Sequence, residues 1–267
     1  MDRIANTFAR CRAENRKALT AYLTVGNPDL AASEKLIETV INAGADIIEL
    51  GVPFSDPMAD GPVIQKAGQI ALKNGTRLAD ILAVAGRIRK QFPDTPMVLF
   101  SYYNVLMSYG LDQLGKDCQT VGIDAWLTVD VPLEEREEVR PTAEKYGLSL
   151  IPLVAPTTPL ERVKQIVAGA KGFVYYITVK GVTGARAELP PELAGRLDEI
   201  RQVSSIPVVA GFGIASPGMA AATAEHADGV VVGSALVRIA DDIPDREKAL
   251  QSSAAFVHGL AQALHGR

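Results

Sequence analysis

The chain has 267 residues, 48% hydrophobic and 22% charged, with a net charge of −4. This is ordinary soluble composition, long enough for a sizeable core, and its mild acidity gives nucleic acid no electrostatic foothold. The N-terminus MDRIANTFARCRAENRKAL lacks the apolar segment of a signal peptide, and no run of about 18 apolar residues could span a membrane. The two cysteines, Cys11 and Cys118, have neither metal-like nor redox-pair spacing, which suits a reduced, cytoplasmic chain.

The first dozen residues predict an extra helix, and eight apolar runs follow. They are ALTAYLTV (18–25), DIIELGV (46–52), PMVLFSYY (96–103), DAWLTVD (124–130), LSLIPLV (148–154), GFVYYITV (172–179), IPVVAGFG (206–213) and DGVVVGSA (228–235). They lack strict alternation, as strands buried on both faces should. Amphipathic segments lie between them, clearly at 30–44 and 76–92 and less cleanly at 133–147 and 159–170. Gly44, Gly122 and Gly147 read as helix terminators, and 245–264 as a closing helix. A crude repeat joins VINAGADIIELG, QTVGIDAWLTVD and EHADGVVVGSAL: helix end, small residue, aspartate, strand. Eight strand–helix units without a linker predict a single (β/α)8 barrel domain over 1–267, with a doubly wound sheet as the alternative.

In such barrels the active site lies at the C-terminal ends of the strands. Glu49 ends the second run. Alternation puts Ile47 and Glu49 on one face and Ile48 and Leu50 on the other, so Glu49 faces the barrel mouth if the isoleucine–leucine pair packs on helices. Burial would raise its pKa toward neutrality, as an acid/base needs; a structural ion pair or amide contact is the competing reading. Asp60 sits in GVPFSDPMADGP, a loop stiffened by Pro53, Pro57 and Pro62; it either faces the mouth or caps the helix starting near Pro62. GFGI (211–214) and VVGSAL (231–236) each open a helix after the last two runs, where such barrels often bind phosphate; plain tight turns are the alternative. KGVTGARAELP (180–190) is a candidate lid or a plain connection. Tyr22, Phe100, Tyr102 and Tyr175 stand near strand ends and either line a flat pocket or fill core. No histidine ends a strand run, which argues against a Ser–His–Asp triad or a histidine-held metal.

ELGVPFSDPMADGPVIQKA (49–67), together with YLTVGNP, DVPLEE, GVTGAR, GFGI and VGSA in order, resembles the alpha-subunit family of tryptophan synthase over essentially the whole chain. That resemblance implies retro-aldol cleavage of indole-3-glycerol phosphate to indole and glyceraldehyde 3-phosphate, late in tryptophan biosynthesis. It implies no metal and no cofactor in this chain, and an α2β2 assembly in which a pyridoxal-phosphate beta subunit receives the indole. It assigns Glu49 as acid/base and Asp60 as the carboxylate at the indole N–H. Tyr22, Phe100, Tyr102, Leu127, Tyr175, Thr183, Gly184, Gly211, Phe212, Gly213, Gly233 and Ser234 fall at substrate and phosphate positions. Pro53, Asp56, Asn104, Asp130 and Pro132 fall where the beta subunit is contacted. Asn27, Lys180 and Met58 depart from the more usual residues of the family. Another phosphate-binding barrel enzyme, a stand-alone lyase, or a weakly catalytic subunit that activates a partner remain as rivals.

Overall fold

The apolar runs are strands whose two faces are buried against different partners. In the computed structural model, which describes residues 2–177, 191–211 and 213–265, they are β1 (Ala18–Thr24), β2 (Ile47–Gly51), β3 (Met97–Ser101), β4 (Ala125–Thr128), β5 (Ser149–Leu150), β6 (Leu153–Val154), β7 (Val174–Ile177), β8 (Val208–Gly211) and β9 (Gly229–Val232). All pair in parallel, in the order β5-β4-β3-β2-β1-β9-β8-β7-β6. The two ends of that row belong to one stretch of chain. Ile151 N–H donates to Trp126 O on β4, and Pro152 O accepts from Tyr175 N–H on β7, each at 2.8 Å. The sheet therefore closes into a barrel through the run LSLIPLV. That run was expected as one strand and is split at Pro152, which has no N–H for the ladder.

Helices α1 (Arg3–Ala13), α2 (Leu30–Asn42), α3 (Pro62–Lys73), α4 (Leu78–Gln91), α5 (Tyr103–Tyr109), α6 (Leu111–Val121), α7 (Arg140–Lys145), α8 (Leu160–Val167), α9 (Pro191–Val203), α10 (Pro217–Ala224), α11 (Ser234–Asp242) and α12 (Arg246–Ala263) surround it. The weakly amphipathic 133–147 segment yields only a 3-10 turn, Arg136–Glu138, and the six-residue α7, whose second residue is Pro141. Gly44, Gly122 and Gly147 follow helices with φ of 113°, 81° and 73°, as terminators do.

Side-chain alternation sorts the core into two layers. Ala18, Tyr22, Ile47, Val98, Leu127, Tyr175, Val209 and Val231 share an inner cluster. Leu19, Ala21, Leu23, Ile48, Leu50, Leu99 and Trp126 pack outward with the helices. Helix α1 closes the N-terminal end of the barrel with Ile4, Phe8 and Cys11, and Phe8 meets Phe173 at 6.0 Å.

The aspartate of the crude repeat belongs to that closed end. Asp46, Asp124 and Asp228 stand just before β2, β4 and β9, and each accepts a backbone N–H from the first or second residue of a neighbouring strand. The acceptors meet Leu19 N–H at 3.0 Å, Met97 N–H at 2.8 Å and Val208 N–H at 2.9 Å. Each carboxylate also meets an arginine: Arg16 at Asp46, Arg3 and Arg89 at Asp124, Arg201 at Asp228. The pattern is thus a strand clamp at the stable end, away from the chemistry. Asp124→Ala orphans a backbone N–H and two guanidinium partners around a carboxylate only 8% exposed. It is expected to lower unfolding free energy by about 3 kcal/mol, read from urea midpoints at pH 7. A loss below a few tenths would show that the clamp contributes nothing.

Candidate active site

β1 and β2 run in register with Tyr22 opposite Glu49, both pointing into the barrel. Glu49 is 0% exposed, and neither carboxylate oxygen has a hydrogen-bond partner among the described residues. The competing reading of a buried ion pair or amide contact is not met there. With no described residue to stabilise the anion, burial pushes its pKa up to about 8. At neutral pH it is a carboxylic acid.

Asp60 does not cap α3. Gly61 is the N-cap, without a side-chain bond, and Pro62 takes the first helical position. The loop is held instead by short backbone bonds, Met58 N–H to Asp56 O at 2.9 Å and Asp60 N–H to Pro57 O at 3.1 Å, and by Gln65 Nε2 donating to Asp60 O at 2.9 Å. Asp60 is half-buried. Burial pushes its carboxyl up to about 6, and a hydrogen bond from the Tyr102 hydroxyl opposes that rise. The two carboxyl groups are therefore separated in charge near pH 7, Glu49 neutral and Asp60 ionised, the division an acid and an electrostatic stabiliser require.

The aromatics divide in two. Tyr22, Phe100 and Tyr175 form a row across the barrel, edge-on at 5.1 Å and 6.4 Å between centroids, with Leu127 buried beside them. Tyr102 belongs to the loop: its ring lies 5.0 Å from Phe54 and its hydroxyl accepts Ala59 N–H at 3.1 Å while bonding Asp60. Sequence reading missed Gly51. A Cβ there would stand 2.3 Å from the Tyr22 hydroxyl, so β2 must lack a side chain where that ring enters. Gly211 relates to the Tyr175 hydroxyl in the same way, at 2.8 Å. Thr24, the last residue of β1, and Gln65, in the first turns of α3, were also missed; a lone polar residue carries no signal until its neighbours are known.

At the ends of β8 and β9, Gly211 and Gly213 precede α10, and Gly233 and Ser234 begin α11. The two helix starts differ. Ser216 accepts Met219 N–H at 3.3 Å and so caps α10 from within. The α11 start has no side-chain cap and no acidic residue in its first turn, which leaves it open to an anion. Thr183, Gly184 and Phe212, with Lys180 and the whole candidate lid, lie outside the described residues.

The partner candidates surround the same mouth. Asp56, Asn104, Asp130 and Pro132 are exposed, and Asp130 accepts Tyr103 N–H at 2.8 Å. Pro53 is buried beneath its loop rather than presented to solvent. Met58, 84% exposed, and Met107, 53% exposed and one helical turn from Asn104, add apolar surface that the sequence did not mark. A 480 Å3 hollow between α7 and α8 opens toward the mouth along Thr128, Val129, Asp130, Pro132, Leu153 and Ile177. Among the described residues no group of three or more His, Cys, Asp or Glu could hold a metal ion, and no helix is long and apolar enough to cross a membrane.

A parallel barrel with a neutral buried acid, an ionised carboxylate and an uncapped helix start at its mouth fits an acid–base enzyme acting on an anionic substrate. The family model described as tryptophan synthase alpha chain matches residues 8–265. The chain is 45% identical over 264 residues to the tryptophan synthase alpha chain of Geobacter sulfurreducens, covering 99% of each, and 46% identical to that of Xylella fastidiosa, covering 99% and 98%. The Legionella pneumophila alpha-chain crystal structure superposes with a TM-score of 0.91 at 36% identity, covering 99% and 97%. A Mycobacterium tuberculosis tryptophan synthase structure gives 0.90 at 36%, covering 99% and 98%. The chain belongs to the tryptophan synthase alpha chain family. It is a lyase that cleaves indole-3-glycerol phosphate and works with a beta subunit in an α2β2 complex.

Proposed function

We propose that Glu49 and Asp60 perform this cleavage as a retro-aldol reaction. The observation that carries the reading is the unpartnered, fully buried Glu49 with its pKa raised to about 8. Direct scission of the side chain from indole C3 would leave a poor carbanion. Glu49 donates its proton to C3, giving an iminium-like ring. Ionised Asp60, at the ring N–H, stabilises the positive charge that develops. The resulting Glu49 carboxylate takes the proton of the adjacent glycerol hydroxyl. The carbon–carbon bond then breaks, its electron pair returns to the ring, and the hydroxyl carbon becomes the aldehyde. Indole and glyceraldehyde 3-phosphate form, and Glu49 ends protonated.

Tyr22, Phe100, Tyr175 and Leu127 supply flat apolar walls for the indole, and Gly211, Gly213, Gly233 and Ser234, with Thr183, Gly184 and Phe212, the phosphate end. Tyr102 acts on the Asp60 loop. One barrel domain in the cytoplasm carries the reaction without a metal or cofactor of its own; pyridoxal phosphate belongs to the beta subunit, which receives the indole. Met58 and Met107, beside Asp56 and Asn104, give that subunit an apolar foothold, with Asp130 and Pro132 at its edge.

Indole release from indole-3-glycerol phosphate by the purified chain, with and without the beta subunit, tests the reading. Slow release alone and strong stimulation by beta is the expected result. Full-rate release alone would make the chain a stand-alone lyase, and none in either case would remove the mechanism. Met107→Glu should raise the beta concentration needed for half-maximal stimulation about tenfold without changing basal release, since a charge replaces a desolvated apolar contact.

A further inference from the structure

The row of aromatics contains two hydroxyls, those of Tyr22 and Tyr175, whose burial the indole-wall role does not explain, and that of Tyr22 shares a void with Asp60. Tyr22 is 8% exposed. Among the described residues its hydroxyl has one hydrogen bond, to Thr24 Oγ1 at 3.5 Å, the outer limit for such a bond. A phenylalanine would supply the same wall and the same edge contact to Phe100. The oxygen nevertheless has a place made for it, because Gly51 lacks the Cβ that would stand 2.3 Å away. A buried hydroxyl so weakly bonded is unfavourable unless another acceptor serves it.

The surroundings name that acceptor. Tyr22, Thr24, Phe54, Asp60 and Gln65 line one void of about 10 Å3, enough for a hydroxyl to turn and far too small for substrate. Among the described residues, four titratable groups face the phenol: Asp60 from the loop, Glu49 from β2, Tyr102 after β3 and Tyr175 from β7. After burial, Asp60 is the strongest influence holding the phenol in its neutral, proton-donating form; Glu49 is weaker and is itself neutral at pH 7. Tyr102 already donates to Asp60.

The geometry points to Tyr22 as a positioning residue whose hydroxyl turns from Thr24 across this void to donate to the Asp60 carboxylate. Asp60 is then held between two phenols, Tyr102 and Tyr22, and aimed at the ring N–H. This assignment rests on the role given to Asp60 above.

The test is Tyr22→Phe in the full chain with its beta subunit, read as kcat/KM for indole-3-glycerol phosphate against pH. Asp60 must be ionised, so activity falls as pH drops through its pKa. Losing a donor to the ionised form raises that pKa, and the acid limb should move up by about half to one pH unit. Thr24→Val, which frees the hydroxyl for Asp60, should leave the limb in place or move it down. An unmoved limb in Tyr22→Phe overturns the proposal. So does a KM increase at every pH with the limb unmoved, which would place the hydroxyl on the substrate. So does an upward shift in Thr24→Val. Asp60→Asn separates the two levels: wild-type turnover in that variant removes the role of Asp60 itself, whereas a dead Asp60→Asn with an unmoved Tyr22→Phe limb removes only the role of Tyr22.

Discussion

Glu49→Gln is expected to lower kcat for indole-3-glycerol phosphate by about 10²- to 10⁴-fold, with KM little changed. The amide keeps the shape of the side chain and cannot give a proton to C3 or take one from the hydroxyl. The pH profile carries more information than the rate. Wild-type kcat/KM should rise through about 6, as Asp60 ionises, and fall through about 8, as Glu49 loses the proton it must donate. Residual turnover in Glu49→Gln should lack the upper fall. If the variant retains that fall, the limb belongs to another group and Glu49 is not the acid.

The same variant has a stability signature of the opposite sign. Folded Glu49 holds its proton up to about 8, whereas the unfolded side chain releases it near 4.5. Between those values the native state binds more protons than the unfolded state, so stability falls as pH rises. The contribution is complete below 4.5, shrinks steadily upward, and amounts to a loss on the order of 4 kcal/mol by pH 8. Glutamine does not titrate. Its Tm should therefore gain on the wild type as pH climbs from 5 to 8. A constant Tm difference would mean that folded Glu49 is solvated or paired. Inactivity with a pH-dependent stability gain would identify a group kept buried for chemistry at the expense of the fold.

What the sequence showed depended on the range of the interaction. Glu49 was legible because strand alternation is local: once Ile48 and Leu50 face the helices, residue 49 must face the barrel. The glycine terminators and the eight-unit barrel were legible for the same reason. The split of LSLIPLV was foreshadowed by Pro152, but the apolar run on either side outweighed it. Asp46, Asp124 and Asp228 showed as a repeat, yet their purpose depends on an N–H at the start of a strand up to 27 residues away, which no pattern along the chain reveals. Tyr102 was read with the indole walls because it follows an apolar strand; its tie to the Asp60 loop spans 43 residues. Gly51 looked like a strand end and is a slot for the Tyr22 ring of the neighbouring β1.

Asp60→Asn is expected to lower kcat/KM by about 10²- to 10³-fold, the usual effect of removing one preorganised electrostatic partner from a developing charge. Asparagine can still accept from the Tyr102 hydroxyl, and Gln65 still donates to the backbone carbonyl at residue 60, so the loop should stay in place. What disappears is the negative charge opposite the ring N–H. The loss should fall mainly on kcat, because the positive charge exists only after C3 is protonated. The variant should also lose the rise through pH 6 and keep the fall through 8, the mirror image of Glu49→Gln. That opposition separates the two carboxylates more sharply than either loss of rate. Each substitution removes one limb only if each limb is the titration of one residue. Should Asp60→Asn abolish both limbs together, the two groups titrate as a coupled pair, and the acid and the stabiliser cannot be assigned to separate side chains.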